Sequence, residues 1–391
     1  MTQRNNIDQI AKVETSKRYE KYKITKNNYK NMIDYNYTYK INKNNKCYEI
    51  YKNIKLGEGS YSFVYLGNMY DKLTYEENFI AVKKIIKSTL TQRGLNMLHS
   101  EMQIIKDMMS YTHNNIVKCY DIVDDIDTIY IIMEYCENGD LSNLLTRKPM
   151  NYGLVKYYFG QILKALKYLN EKNIIHRDIK PKNILITNDN KTIKLCDFGF
   201  AKHNDGLKRV MTVCGSPLYM APEIYQKNGY TSLVDVWALG IILYEMLFGF
   251  HPLMKYNDPK KIADSINNID ILIPSVENLS TNLSESNDCK LIDTKNNYIE
   301  TECFSLLEKM LKKKDSERIT MTELFAENWI IQCMNLTEID NSNNTNKQTN
   351  EQINNVDYDL DNCADNDADN DINNINSDIE KELSLTFYMD D

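Results

Sequence analysis

The sequence predicts an α+β protein of two lobes, a small β-rich N-lobe followed by a larger helical C-lobe. Three observations point there. Strand-like runs crowd the stretch before Glu137, helix-like runs dominate after it, and charge marks off one near-neutral block between two charged ends. Residues 1–46 carry 11 Lys+Arg against 4 Asp+Glu, and residues 334–391 carry 2 against 15. The chain's net charge of −8 therefore leaves about −2 for residues 47–333, so the acidity belongs to a tail. The expected organisation is a basic, weakly structured extension over 1–47, a folded domain over 48–333, and a disordered Asn/Asp-rich tail over 334–391. Few large apolar residues are available in that tail to offset its ordering entropy.

Within the block, YEIYKNIKL, SFVYLGN and NFIAVKKII read as the first strands, with a helix over Leu95–Met109. Ile116–Ile122 and Thr128–Glu134 read as two further strands. After the turn at Glu137–Asp140, helices are expected over Leu141–Leu145, Val155–Asn170, Leu233–Phe248 and Cys303–Lys312. Residues 275–301 are polar and aperiodic, as in a surface insertion. The longest apolar stretch, Trp237–Phe250, carries Glu245 and falls short of the ~20 residues of a membrane span. No apolar leader follows Met1, and the nine Cys form no C-x-x-C pair. The expectation is a soluble, cytoplasmic protein with reduced thiols and no Cys/His metal site.

Four motifs carry chemistry. Gly57-Glu58-Gly59-Ser60 lies between two strands, where glycines let backbone amides approach phosphate oxygens; alone it reads first as an ordinary Gly-rich hairpin. Lys83 sits in the apolar run IAVK, and either it or Lys84 must point inward; Glu101 on the following helix is placed to pair with it. In His176-Arg-Asp-Ile-Lys-Pro-Lys-Asn183, Asp178 can orient or accept a hydroxyl proton. Lys180 can neutralise a transferring phosphoryl group, and Asn183 can offer an oxygen to a divalent cation. Asp197-Phe-Gly199 follows a strand over Thr192–Cys196 and supplies a carboxylate suited to Mg²⁺. Ala221-Pro-Glu223, Asp235 and Arg318 read as structural, with Glu223 against Arg318 and Asp235 holding the backbone of the loop at Asp178.

In this order the motifs resemble the eukaryotic protein kinase family over about 285 residues. The resemblance implies the bilobal kinase fold, ATP and Mg²⁺. It implies phosphate contact by Lys83 paired with Glu101, catalysis by Asp178 and Lys180, and metal held by Asn183 and Asp197. It also implies an adenine slot of Leu56, Val64, Ala81 and Leu185, with Met133 behind it and the Glu134–Cys136 backbone as hinge. Lys180 and Gly215-Ser-Pro217 resemble the serine/threonine version, and DFGFAK with VCGSPLYMAPE looks most like the autophagy-initiating kinases. Ser62 departs from the family at the third glycine. Asp140 matches an acid used to select upstream Arg, but Lys182 stands where the second acid belongs, which implies weak basophilicity at most. Thr212 is the expected phosphosite, with Arg177 and Lys202 as its receivers, served by an upstream kinase or by autophosphorylation. Protein substrates are the implied partners. The alternatives are a pseudokinase scaffold, a small-molecule phosphotransferase, and a nucleic-acid role for the basic N-terminus. Lys83, Glu101, Asp178, Asn183 and Asp197, all present, argue against the first. The peptide platform argues against the second, and the scattered lysines against the third.

Overall fold

A computed structural model describes residues 38–59, 62–145, 148–187, 191–203, 210, 214–226, 229–253, 266, 271, 273 and 299–343. Ser60, Thr212, the extension before Thr38, nearly all of the polar insertion and the tail after Asn343 lie outside them.

Alternating inward side chains build a six-stranded antiparallel sheet. Its strands are β1 (Thr38–Lys43), β2 (Lys46–Gly59), β3 (Ser62–Asp71), β4 (Glu77–Ile86), β5 (Cys119–Asp124) and β6 (Thr128–Glu134), in the order β1-β2-β3-β4-β6-β5. One face carries Tyr48, Ile50, Ile80, Val82 and Ile132, all buried. The opposite face of β4 places Ala81 across from Met133 and Lys83 across from Ile131 and Val64.

Before the expected domain start at 48 the chain already forms β1, a full edge strand paired with β2 from Thr38. Ile41 joins the buried face, Tyr39 stacks on Tyr130 at 5.8 Å, and Lys43 Nζ reaches β5. There it donates to Asp121 Oδ1 at 2.6 Å and to Ile122 O at 2.7 Å, while Tyr48 donates to Asp121 Oδ2 at 2.9 Å. The two edges of the sheet are thereby clasped through side chains, which also blunts an exposed strand edge.

Helix α1 (Gln92–Met109) starts on Thr91, whose hydroxyl accepts from Gly94 N at 3.2 Å. Its buried Leu98, Met102 and Ile105 face the sheet at helical spacing, and Glu101 lies on the same side. Beyond the short 3₁₀ turn Leu141–Asn143 the chain becomes mainly helical: α2 (Tyr152–Glu171), α3 (Pro222–Tyr225), α4 (Leu233–Phe248), α5 (Thr301–Met310), α6 (Met321–Ala326) and α7 (Asn328–Asn343). Helix α4 is apolar on all sides and buried almost throughout, so it is the post around which this lobe packs. Gly160 on α2 lets α7 lie against it, since a Cβ there would stand 2.1 Å from Cys333 O. Helix α7 runs to Asn343, ten residues past the expected boundary at 333. Short pairs β7 (Ile174–Ile175) with β10 (Lys202–His203), and β8 (Ile184–Ile186) with β9 (Ile193–Leu195), carry the loops between the lobes. Among the described residues no helix is long and apolar enough to cross a membrane.

Candidate active site

The loop after β7 is fixed from below. Asp235, in the first turn of α4 and 1% exposed, accepts from His176 N at 2.8 Å and from Arg177 N at 2.9 Å. Burial raises the pKa of Asp235, and the charges and amide bonds of His176 and Arg177 oppose that rise. Arg177 takes φ = 69°, a left-handed conformation costly for a residue with a Cβ and held here by the surrounding bonds. His176 ties the loop to the next motif: its Nε2 bonds Cys196 O at 3.1 Å, its Nδ1 accepts from Asp178 N at 3.3 Å, and its ring packs on Phe198.

Asp178 emerges at the end of this support with its side chain 2% exposed. Oδ1 accepts from Ser216 N and from Ser216 Oγ, each at 2.9 Å. Oδ2 accepts from Asn183 Nδ2 at 3.0 Å and lies 3.1 Å from Lys180 Nζ. Lys180 also donates to Ser216 Oγ at 2.6 Å, so one hydroxyl is held between carboxylate and ammonium. Sequence reasoning placed Ser216 in a platform but gave it no bond to Asp178, 38 residues away. Gly215 allows the approach: its φ is 109°, and a Cβ there would meet Arg177 O at 2.6 Å.

Across from it, Lys83 donates to Glu101 Oε1 at 2.7 Å and to Asp197 Oδ1 at 2.9 Å. Burial alone would lower the Lys83 pKa; Asp197 and Glu101 outweigh it and hold the ammonium charged. Asp197 shows the same contest: burial works to raise it, while Lys83, Lys180 and His176 together keep its carboxyl below the usual range. Glu101 goes the other way, pushed up by burial and the nearby Asp197 charge against the pull of Lys83. Asp197 adopts φ = 62° and keeps 39% of its side chain exposed, unlike Glu101 at 7%.

The apolar slot candidates fall on one side of this cluster. Val64, Ala81 and Met133 share the Lys83 face by register, and with Leu56 and Leu185 they are only partly buried. Gly57-Glu58-Gly59 ends β2 in register with β3 through the pairs Gly57–Val64 and Gly59–Ser62. The chain leaves β6 at Glu134, whose carboxylate pairs with Lys194 at 3.0 Å, and passes buried Cys136. Asn138 N and Gly139 O then bond Ile186, which sets Leu185 beside this crossing.

A divalent cation fits the donor set. Asn183 uses its Nδ2 on Asp178 O at 2.8 Å and on Asp178 Oδ2, so its amide oxygen and the part-exposed Asp197 carboxylate are the candidate ligand atoms. Mg²⁺ takes one or two protein oxygens and completes its shell with water and phosphate. That suits two such oxygens, and among the described residues no cluster of three His, Cys, Asp or Glu forms a closed cage.

Glu223 and Arg318 pair at 2.6 and 2.9 Å beneath α3, away from the cluster. Asp140 caps the turn at Leu141, accepting from Ser142 N at 2.9 Å and from Ser142 Oγ.

Residues 50–330 match the family model described as protein kinase domain. The chain is 35% identical over 274 residues to serine/threonine-protein kinase ULK3 of Xenopus laevis, covering 70% of this chain and 53% of that protein. It is 36% identical over 224 residues to serine/threonine-protein kinase unc-51 of Caenorhabditis elegans, covering 54% and 26%. With serine/threonine-protein kinase atg1 of Dictyostelium discoideum it shares 33% over 285 residues, covering 71% and 38%. The chain thus spans about half the length of its ULK3 relative and less of the other two.

Proposed function

The chain belongs to the protein kinase family, and from that premise we propose that it transfers the γ-phosphate of Mg·ATP to Ser and Thr hydroxyls of protein substrates. The observation that carries this reading is the Ser216 hydroxyl, seated 2.9 Å from Asp178 and 2.6 Å from Lys180. The same two side chains could receive a substrate hydroxyl in that way. The names of the relatives, each a serine/threonine-protein kinase, support the acceptor type.

In this reading Asp178 orients the acceptor hydroxyl and takes up its proton, while Lys180 faces the charge that moves onto the transferring group. Lys83 binds nucleotide phosphate, and Glu101 holds Lys83 in place from α1. The segment from Gly57 to Ser60 covers the phosphates with backbone amides. Leu56, Val64, Ala81, Met133 and Leu185 enclose the adenine, which the Glu134–Cys136 backbone meets by hydrogen bonds. Asp197 and Asn183 would hold Mg²⁺, which would supply neutralisation of phosphate charge. Catalysis is then mainly positioning and electrostatics, as a loose phosphoryl transition state requires.

Two finer parts of the reading concern selection and control. Ser142 engages the Asp140 carboxylate, which also lies in the field of Lys182, so an upstream Arg gains little there. Basophilicity is at most weak, and a peptide array with strong preference for paired upstream Arg would contradict it. Phosphate on Thr212, added by an upstream kinase or by the enzyme itself, is received by Arg177 and Lys202. Unchanged activity in Thr212→Ala would remove that part.

The test of the whole is phosphate transfer to a mixed Ser/Thr/Tyr peptide library. Incorporation on Ser and Thr, with Tyr left unmodified, is expected. ATP binding without transfer to any peptide would leave a scaffold in place of an enzyme.

A further inference from the structure

Arg177 has a side chain that the transfer chemistry does not touch. The residue is 8% exposed. Its Nε donates to Phe200 O at 2.5 Å and its Nη1 donates to Tyr230 Oη at 3.0 Å. Phe200 stands where the chain leaves the Asp197 motif, and Tyr230 stands beyond Glu223, at the far end of the same segment. One buried cation therefore grips both roots of that segment.

Tyr230 is tied on its other side as well. Its N donates to Val210 O at 3.0 Å, and Val210 N donates back to Tyr230 O at 2.9 Å. Its hydroxyl lies 3.8 Å from Cys214 Sγ, and the residue is 2% exposed. Burial, helped by Cys214 and opposed by Arg177, raises the pKa of that hydroxyl, so it stays a neutral acceptor.

A buried guanidinium ordinarily rests against a carboxylate. Among the described residues Arg177 forms no ion pair; a carbonyl and a phenol are its side-chain acceptors. These two bonds fix the plane of a side chain whose main chain is left-handed and directly precedes Asp178. Removing the hydroxyl would leave the guanidinium short of an acceptor and free to turn, and the strained loop would lose one of its restraints.

We propose that Tyr230 is a positioning residue for phosphoryl transfer, its hydroxyl fixing Arg177 against Phe200 and so holding the loop that presents Asp178 without an anion added to the segment. This rests on the kinase reading above. Tyr230 then acts through Arg177 and meets neither nucleotide nor acceptor. Its role differs from packing because the ring and both backbone bonds to Val210 survive loss of the hydroxyl.

The experiment uses the full chain, treated with phosphatase, as wild type, Tyr230→Phe, Arg177→Met and the double variant. Turnover and amide exchange over residues 176–183 are read on each. Tyr230→Phe is expected to lower kcat about tenfold and leave KM for ATP within about twofold, as for a lost bond to a charged group that shapes the reacting geometry. Exchange over 176–183 should quicken, and in the Arg177→Met background the Tyr230 change should add less than about twofold. A kcat within about twofold of wild type, or losses that multiply in the double variant, would overturn the proposal. Absence of turnover in the wild type would strike the kinase reading instead. Exchange then decides the tie: faster exchange in Tyr230→Phe supports it and unchanged exchange overturns it.

Discussion

Two buried ion pairs, Arg318–Glu223 in the helical lobe and Lys83–Glu101 in the β-rich lobe, are built from similar charges and left in different states. Arg318 is sealed, with its side chain fully buried. Its donors meet both Glu223 oxygens and the carbonyls of Lys312, Leu233 and Lys313, and its guanidinium lies 5.1 Å from the Trp237 ring centroid. Nothing remains for a ligand to do. Lys83 instead faces two carboxylates, one of them 39% exposed on a left-handed residue. That cluster carries surplus negative charge at an open edge, a state that a bound cation would complete in the proposed reading. A finished pair serves the fold, and an unfinished one is available for chemistry.

The comparison breaks most visibly under substitution. Lys83→Met should lower turnover by at least about 10³-fold, the scale of losing a principal electrostatic contact, with melting shifted by only a few degrees. Melting of the whole domain instead would make Lys83 structural. Arg318→Met should do the reverse. It strands Glu223 and costs roughly 3 kcal/mol in denaturant unfolding, while turnover per folded molecule stays near wild type.

A third prediction concerns acid. His251 bonds Leu218 O at 3.1 Å through Nε2, and its Nδ1 accepts from Leu253 N at 3.0 Å. The neutral ring is therefore the one that fits, and burial lowers its pKa from 6.5 to about 4. The unfolded chain takes up this proton first. Its contribution is thus complete above pH 6.5 and is lost as pH falls toward 4. Roughly 3 kcal/mol of stability should disappear across that window in wild type and be retained in His251→Gln, as read by unfolding against pH. The smallest effect is expected at the sheet clasp. Lys43, 39% exposed beside Asp121, should cost only about 1 kcal/mol as Lys43→Met.

The sequence made the long periodic elements legible. The helix Leu233–Phe248 keeps its expected bounds because its run is apolar and ends at Gly249. Strand β4 was readable, and Glu101 could be named as a partner for Lys83 because it lies in the helix that follows that strand. What stayed hidden depends on distant contacts. Strand β1 reads as Tyr/Lys/Asn alternation, and its anchor at Asp121 lies 78 residues from Lys43. The last ten residues of α7 look like tail because no apolar stripe marks them. Ser216 and Tyr230 reach the catalytic loop across 38 and 53 residues, and local sequence carries no sign of such bonds.

The account rests on the open cluster being catalytic machinery. Its most direct test is phosphate transfer from Mg·ATP by wild type and Asp197→Asn, compared at equal folded fraction. Ser/Thr incorporation by wild type that vanishes in the variant is the predicted result. Equal transfer by the two proteins, or none by wild type with ATP bound, would contradict it.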